Sequence, residues 1–172
     1  GVVLSASAVA PDLLAAGYFQ VGKADMVPER WFAYPESQDS PTPVSAFARA
    51  VWTGTEFLVW GGSTNAGARY NPVTQVWTAM SQVNAPEGRD GHCVVWTGTE
   101  MLVWGGAGVS SGLTNTGGRY NPVSNTWQSI STVNAPAPRM NIPSVWTGTE
   151  MIVWGGTAAG EESSIGGRYN PV

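Results

Sequence analysis

An all-β fold of tandem four-stranded units is the class this sequence predicts, on three observations. The first is a repeat in register: Val51-Trp-Thr-Gly-Thr-Glu56 recurs as Val95 to Glu100 and as Val145 to Glu150. Each copy is followed by an apolar stretch and a glycine pair, Gly61-Gly62, Gly105-Gly106 and Gly155-Gly156. Further on, Arg69-Tyr-Asn-Pro-Val73 recurs as Arg119 to Val123 and Arg168 to Val172, and such a fixed period decides the whole architecture. The second is composition: 22 Gly, 12 Pro and 9 Trp beside only 12% charged residues describe a turn-rich, aromatic-rich β chain. The third is the length of the apolar runs, which are strand-sized and bounded by turn residues.

Taking the second copy in chain order, a first, inner strand is expected over about Gly91 to Thr97. The tight Thr-Gly-Thr turn then leads as a β-hairpin into a second strand, Glu100 to Gly105. Along Met101-Leu-Val-Trp104 both alternating faces are apolar, so this strand must be covered on both sides, as stacked neighbouring sheets would do. A third strand covers about Gly117 to Asn121, and Asn-Pro-Val-Ser-Asn turns the chain into an outer strand around Trp127. The spacing is constant except in one place. Between the glycine pair and the Arg-Tyr lie 6 residues in copy one (Ser63 to Ala68), 12 in copy two (Ala107 to Gly118) and 11 in copy three (Thr157 to Gly167). A rigid scaffold therefore carries one variable loop per repeat.

The order Gly-Gly, then Tyr, then Trp seven residues later (Tyr70 to Trp77, Tyr120 to Trp127), then Asn-Ala-Pro-x-x-Arg before the next inner strand, resembles the kelch repeat of β-propellers, including the repeats of the galactose oxidase central domain. The resemblance covers roughly residues 29–172. It implies that the glycine pair ends the second strand and that the Trp lies on the outermost one. Copy one departs from the pattern, with Ser45 where Arg89 and Arg139 stand in the others, and copy three reaches Val172 before any outer-strand Trp. Glu29-Arg-Trp31-Phe-Ala-Tyr34 aligns with Gln75 to Met80 and supplies a candidate outer strand. The expected organisation is an N-terminal segment over 1–28, an outer strand over 29–40, and blades over 41–83, 84–133 and 134–172, the last lacking its outer strand. Three blades do not close a ring that typically needs about four to eight. The expectation is therefore a segment of a larger propeller of about six or seven blades, with a six-bladed homodimer as the other route.

Charge and size narrow the function classes. A net charge of −4 and the lack of any Lys/Arg cluster exclude a phosphate-binding surface, so nucleic acid is not an expected partner. No apolar run approaches the roughly 20 residues of a spanning helix. The one cysteine, Cys93, allows no internal disulfide and is expected to pack as a small apolar residue. Val2 to Ala10 reads equally as the tail of a secretory signal or as a buried strand. That segment, the single lysine (Lys23) and the small polar loops point to an extracellular or cell-envelope location.

Residues present in every copy are expected to hold the blade together. The tryptophans pack between blades. Glu56, Glu100 and Glu150 at the start of the second strand pair with Arg69, Arg119 and Arg168 on the third. Function is sought where the repeat breaks. Asp90 and His92, two apart on the inner strand, would share a face, a pattern compatible with acid–base work, although a scaffold role for His92 is the simpler reading. The variable loops and the connection into the inner strand should emerge on one face. Asn65, Ser110, Ser111, Thr114, Asn115, Glu161 and Glu162 would there ring a surface with Arg89, Asp90, His92, Arg139 and Asn141. This set suits hydrogen bonding to a protein or glycan ligand.

With one histidine and its repeated tyrosines in the Arg-Tyr-Asn-Pro turns, this segment does not contain the two-His, two-Tyr copper site of galactose oxidase. No metal, cofactor or catalytic residue is expected. The expected function is a non-catalytic binding or interaction module. Two alternatives remain: a scaffold for a carbohydrate oxidase, epimerase or hydrolase whose site is completed outside the segment, and a structural homodimer.

Overall fold

A computed structural model describes residues 47–172. The expectations for residues 1–28, for an outer strand at Trp31 and for Ser45 fall outside the described residues. The first sheet is antiparallel, in the order β1 (Arg49–Trp52), β2 (Phe57–Trp60), β3 (Gly67–Asn71), β4 (Val76–Ala79). In the second repeat come β5 (Arg89–Asp90), β6 (Cys93–Trp96), β7 (Met101–Trp104), β8 (Ala107–Gly108), β9 (Gly112–Leu113), β10 (Gly117–Asn121) and β11 (Thr126–Ser129), of which β6, β7, β10 and β11 form the second blade. The third repeat contains β12 (Ser144–Trp146), β13 (Met151–Trp154), β14 (Thr157–Ala158), β15 (Glu161–Glu162) and β16 (Gly166–Tyr169). Its blade is β12-β13-β16, and among the described residues β16 has no strand on its outer side.

Side-chain oxygens close the turns as the sequence requires. Thr53 Oγ1 accepts from the Thr55 and Glu56 amides at 3.2 and 2.8 Å, and Thr97 and Thr147 do the same in their repeats. Asn71 and Asn121 each accept from two amides beyond the Asn-Pro, forming Asx turns that reverse the chain into the outer strand.

The blades stack face to face. Leu58, Trp60 and Met80 of the first blade pack on Met101, Val103, Tyr120 and Trp127 of the second. Cys93, Val95, Leu102, Trp104 and Ile130 of the second pack on Ile142, Met151 and Val153 of the third. Strand β7 is thus buried along its whole length, as an apolar strand between two sheets must be. The inner strands β1, β6 and β12 lie next to one another, giving a propeller-like succession of blades.

The repeated Arg–Glu pairs form, at 3.7 Å for Arg69–Glu56, 3.9 Å for Arg119–Glu100 and 3.7 Å for Arg168–Glu150. They also reach across blades: Arg69 donates to the Pro122 carbonyl and Arg119 to that of Pro171, at 3.0 Å in the latter case. Arg69 and Arg119 therefore each fasten their own blade to the Asn-Pro turn of the next.

The inner strand differs from the sequence expectation. It is interrupted at Gly91, whose φ of +58° lies in the left-handed region, so Asp90 and His92 do not alternate along one strand. Residues before the break, β5, leave the blade and pair with β8 instead.

Candidate functional site: the loop face

The long variable loops are not irregular. In the second repeat the loop folds into the hairpin β8–β9, and β8 adds to β5 with Arg89 opposite Gly108 and Asp90 opposite Ala107. In the third, β14–β15 forms the same hairpin, and Thr157 bridges Met140, the residue in Asp90's repeat position. The loop and the connection into the inner strand thus share one face, as expected. The first repeat's six-residue loop is too short for the hairpin, and its Asn65 is half-buried, giving its carbonyl to Trp60 Nε1 at 3.0 Å.

Two of the predicted surface residues instead build the scaffold beneath. Arg89 is 3% exposed and spends its guanidinium on the carbonyls of Glu87 (3.0 Å), Gly105 (3.1 Å) and Thr116 (2.9 Å), with the Thr116 hydroxyl at 3.3 Å. Arg139 is 1% exposed and donates to the carbonyls of Ala137, Gly155 and Ile165 and to Ser163 Oγ at 2.8 to 3.0 Å. The loop bases carry backbone carbonyls with no ladder partner, and a five-donor fork satisfies several of them at once. Thr114 is likewise buried, with its hydroxyl on that of Thr116 at 2.8 Å.

His92 is also interior. Its Nδ1 donates to the Arg89 carbonyl at 3.0 Å, and its ring stands edge-on to Trp60 with centroids 5.4 Å apart. Burial, reinforced by the nearby Arg89 and Arg49 charges, pushes its pKa down to about 4, so the ring is neutral at pH 7. Among the described residues it meets no carboxylate through a hydrogen bond, and the acid–base pairing suggested by Asp-x-His does not form because Gly91 turns the chain between them. Cys93 is buried in the second inter-blade cluster and its thiol is pushed up to about 11 by that burial. Among the described residues no three His, Cys, Asp or Glu side chains are grouped to hold a metal.

The remaining candidates stay at the surface. Ser110 and Ser111 are exposed at the tip of β8–β9, Glu161 and Glu162 form the exposed β15, Asn115 is half-buried just beyond β9, and Asn141 is exposed. Asn141 has φ of +55° and donates its amide to the Gly91 carbonyl at 2.7 Å, which locks the second and third inner connections together. Asp90, Gly91, Met140 and Asn141 line a cavity of about 230 Å³ with Phe47 and Arg49, and Asp90 Oδ1 is buried with no hydrogen-bond partner among the described residues.

Sequence reasoning missed Glu87. Its carboxylate accepts from the Ser110 amide at 2.5 Å, and hydrogen bonds from the Ser111 hydroxyl and the Ser110 amide hold its pKa below the usual carboxylate range. The clamp pins the hairpin tip. A signal existed, since Glu87 occupies a position where the third repeat has Ala137, but only folding brings it to the loop.

A family model described as the KLHDC2/KLHL20/DRC7 Kelch-repeats domain matches residues 49–171. No curated protein matches the chain.

Proposed function

The chain belongs to the kelch-repeat family, a protein-interaction fold, and from that premise we propose that its loop face binds a protein ligand through the tips of hairpins β8–β9 and β14–β15. The observation that carries this reading is the way both repeat-breaking loops are held: each is a short sheet rooted on a buried arginine, and the first is clamped by Glu87. A rigid mount that presents small polar and acidic groups suits hydrogen-bonded recognition of peptide at low entropic cost. Ser110, Ser111, Glu161 and Glu162 make the contacts, while Arg89, Arg139, Thr114 and His92 hold them in place. The test is selection of peptides from a display library on the immobilised chain, with a counter-screen on the variant carrying Ser110→Ala, Ser111→Ala, Glu161→Ala and Glu162→Ala. Peptides that bind the chain and are lost on the variant support the reading, and peptides indifferent to all four changes refute it. Oligosaccharides captured with the same dependence would transfer the site to a glycan ligand.

A second reading, assembly through a blade face, is favoured by one contrast. Leu58 and Trp60 are 0% and 1% exposed between the first two blades, whereas their counterparts Ile152 and Trp154 on the third are 39% and 61% exposed. Light scattering on the chain and on Ile152→Glu separates the two: a dimer abolished by the substitution supports assembly, and a monomer in both cases rejects it.

A further inference from the structure

At the end of the blades away from the variable loops, the seam between the first and second blades opens as a groove of about 590 Å³. One wall is the Thr53-to-Glu56 turn with Arg69 of the first blade, and the other is Trp96, Thr99 and Pro122 of the second. The main-chain amides of the turn are already spent. Thr53 N–H donates to the Glu56 carbonyl at 3.0 Å, and Thr53 Oγ1 takes the amides of Thr55 and Glu56. The Pro122 carbonyl accepts from Arg69 Nη1. What the groove offers a ligand is therefore side-chain chemistry: threonine hydroxyls, a carboxylate, a guanidinium and the Trp96 indole, which is half-buried against the first inter-blade cluster.

The charged pair in this groove is not saturated. Arg69 Nη1 and Glu56 Oε2 stand 3.7 Å apart, an ion pair too long to be a hydrogen bond. Among the described residues the Arg69 guanidinium makes one hydrogen bond, from Nη1, and its buried Nε has no acceptor. The second blade shows the difference. There the equivalent Arg119 delivers Nε and Nη2 to Gln128 Oε1 at 3.0 and 2.6 Å. Gln128 is the cross-strand neighbour of Arg119, whereas the neighbour of Arg69 is the shorter Thr78. One guanidinium is capped within its own blade and the other keeps donors to spare.

We propose that this groove binds a neutral sugar, a β-linked pyranose with equatorial hydroxyls on neighbouring carbons. Each hydroxyl both donates and accepts, so an adjacent pair gives its protons to Glu56 and its lone pairs to Arg69. The flat face of ring C–H groups lies on the Trp96 indole, whose electron-rich face attracts their positive edge. Thr53, Thr55 and Thr99 meet the remaining hydroxyls. A peptide docking by strand addition needs free main-chain groups, and the turn has consumed its amides. An anionic ligand would meet the Glu56 carboxylate. This site lies at the opposite end of the blades from the loop face and does not depend on what that face binds.

The probe is cellopentaose, a chain of β-linked glucose units, titrated into the protein and followed by calorimetry. Saturable binding in the millimolar range is expected, with a change in tryptophan fluorescence as the sugar covers Trp96. Thr78→Gln, at an exposed position outside the groove, copies the Gln128 cap onto Arg69 and should weaken binding about tenfold. Glu56→Gln keeps the side-chain shape while removing the charge, and should weaken it by a similar factor. Thermal unfolding checks that both variants keep the fold. The variant with alanine at Ser110, Ser111, Glu161 and Glu162 should bind the sugar as the parent does. No saturation by about 10 mM sugar, an affinity indifferent to both Thr78→Gln and Glu56→Gln, or binding lost with the loop-face variant would overturn the proposal.

Discussion

Arg89 donates through one guanidinium nitrogen to the Thr116 carbonyl at 2.9 Å, joining the connection into the second blade to the far end of its variable loop. The same nitrogen reaches the Gly105 carbonyl at 3.1 Å, so a single buried cation closes the base of the hairpin. Replacing it with an apolar side chain removes the donor of the buried Gly105 carbonyl and of the partly buried Glu87 and Thr116 carbonyls. Arg89→Leu should lower unfolding stability by about 3 kcal/mol, the scale expected when charged hydrogen bonds are lost and their acceptors stay buried. Urea unfolding measures this, and a change below about 0.5 kcal/mol would show that water replaces the guanidinium at no cost.

The neutral state of His92 makes stability depend on pH. Its folded pKa of about 4 lies below the ordinary 6.5, so the unfolded chain binds the extra proton between these values. Its contribution is fully present above about pH 6.5 and is lost as pH falls toward 4, with a slope of at most about 1.4 kcal/mol per pH unit. His92→Gln should flatten the curve of Tm against pH in that window relative to the parent chain, and an unchanged slope would assign the acid sensitivity to other groups.

The seam between the first two blades is tight at Gly61. Its φ is +92°, and a Cβ there would lie 2.8 Å from His92 Cε1. Gly61→Ala combines a strained backbone with a steric conflict and should destabilise by roughly 1 to 3 kcal/mol. Thermal unfolding together with the near-ultraviolet signal of Trp60, which contacts the same ring, reports both effects.

Repeat-equivalent tryptophans should differ sharply in cost. Trp60→Ala opens the buried seam and is expected to cost about 3 to 5 kcal/mol. Trp154→Ala removes a side chain that is 61% exposed and should cost under about 1 kcal/mol. Equal losses in denaturant unfolding would mean that the face of the third blade is covered in solution.

Glu87 controls only the hairpin tip. Glu87→Ala should speed amide exchange at Ser110, whose N–H it holds, while leaving the amides of Met101 to Trp104 protected. Exchange that rises throughout the second blade would instead make the hairpin part of the blade's cooperative unit.

Much of this architecture was readable in the chain because repetition turns weak local signals into strong ones. The Thr-Gly-Thr hairpin, the Asn-Pro reversal and the pairing of Arg69 with Glu56 each follow from residues close in sequence or adjacent on paired strands. Their recurrence removes ambiguity about register. The face shared by the variable loop and the inner connection follows from the same strand order.

The roles of Arg89, Arg139 and His92 depended on burial, which no local pattern reports. Arg89 and Arg139 read as surface cations because arginine is usually exposed; the folded chain places them where hairpin bases present unpaired carbonyls, and there a buried guanidinium is the best available donor. His92 and Asp90 were separated by one left-handed glycine, a backbone choice that strand periodicity does not see. Glu87 meets Ser110 across 23 residues, and Trp104, Met151 and Tyr169 come together from two different blades. Contacts of that kind are set by how sheets stack, so tertiary packing alone decides them.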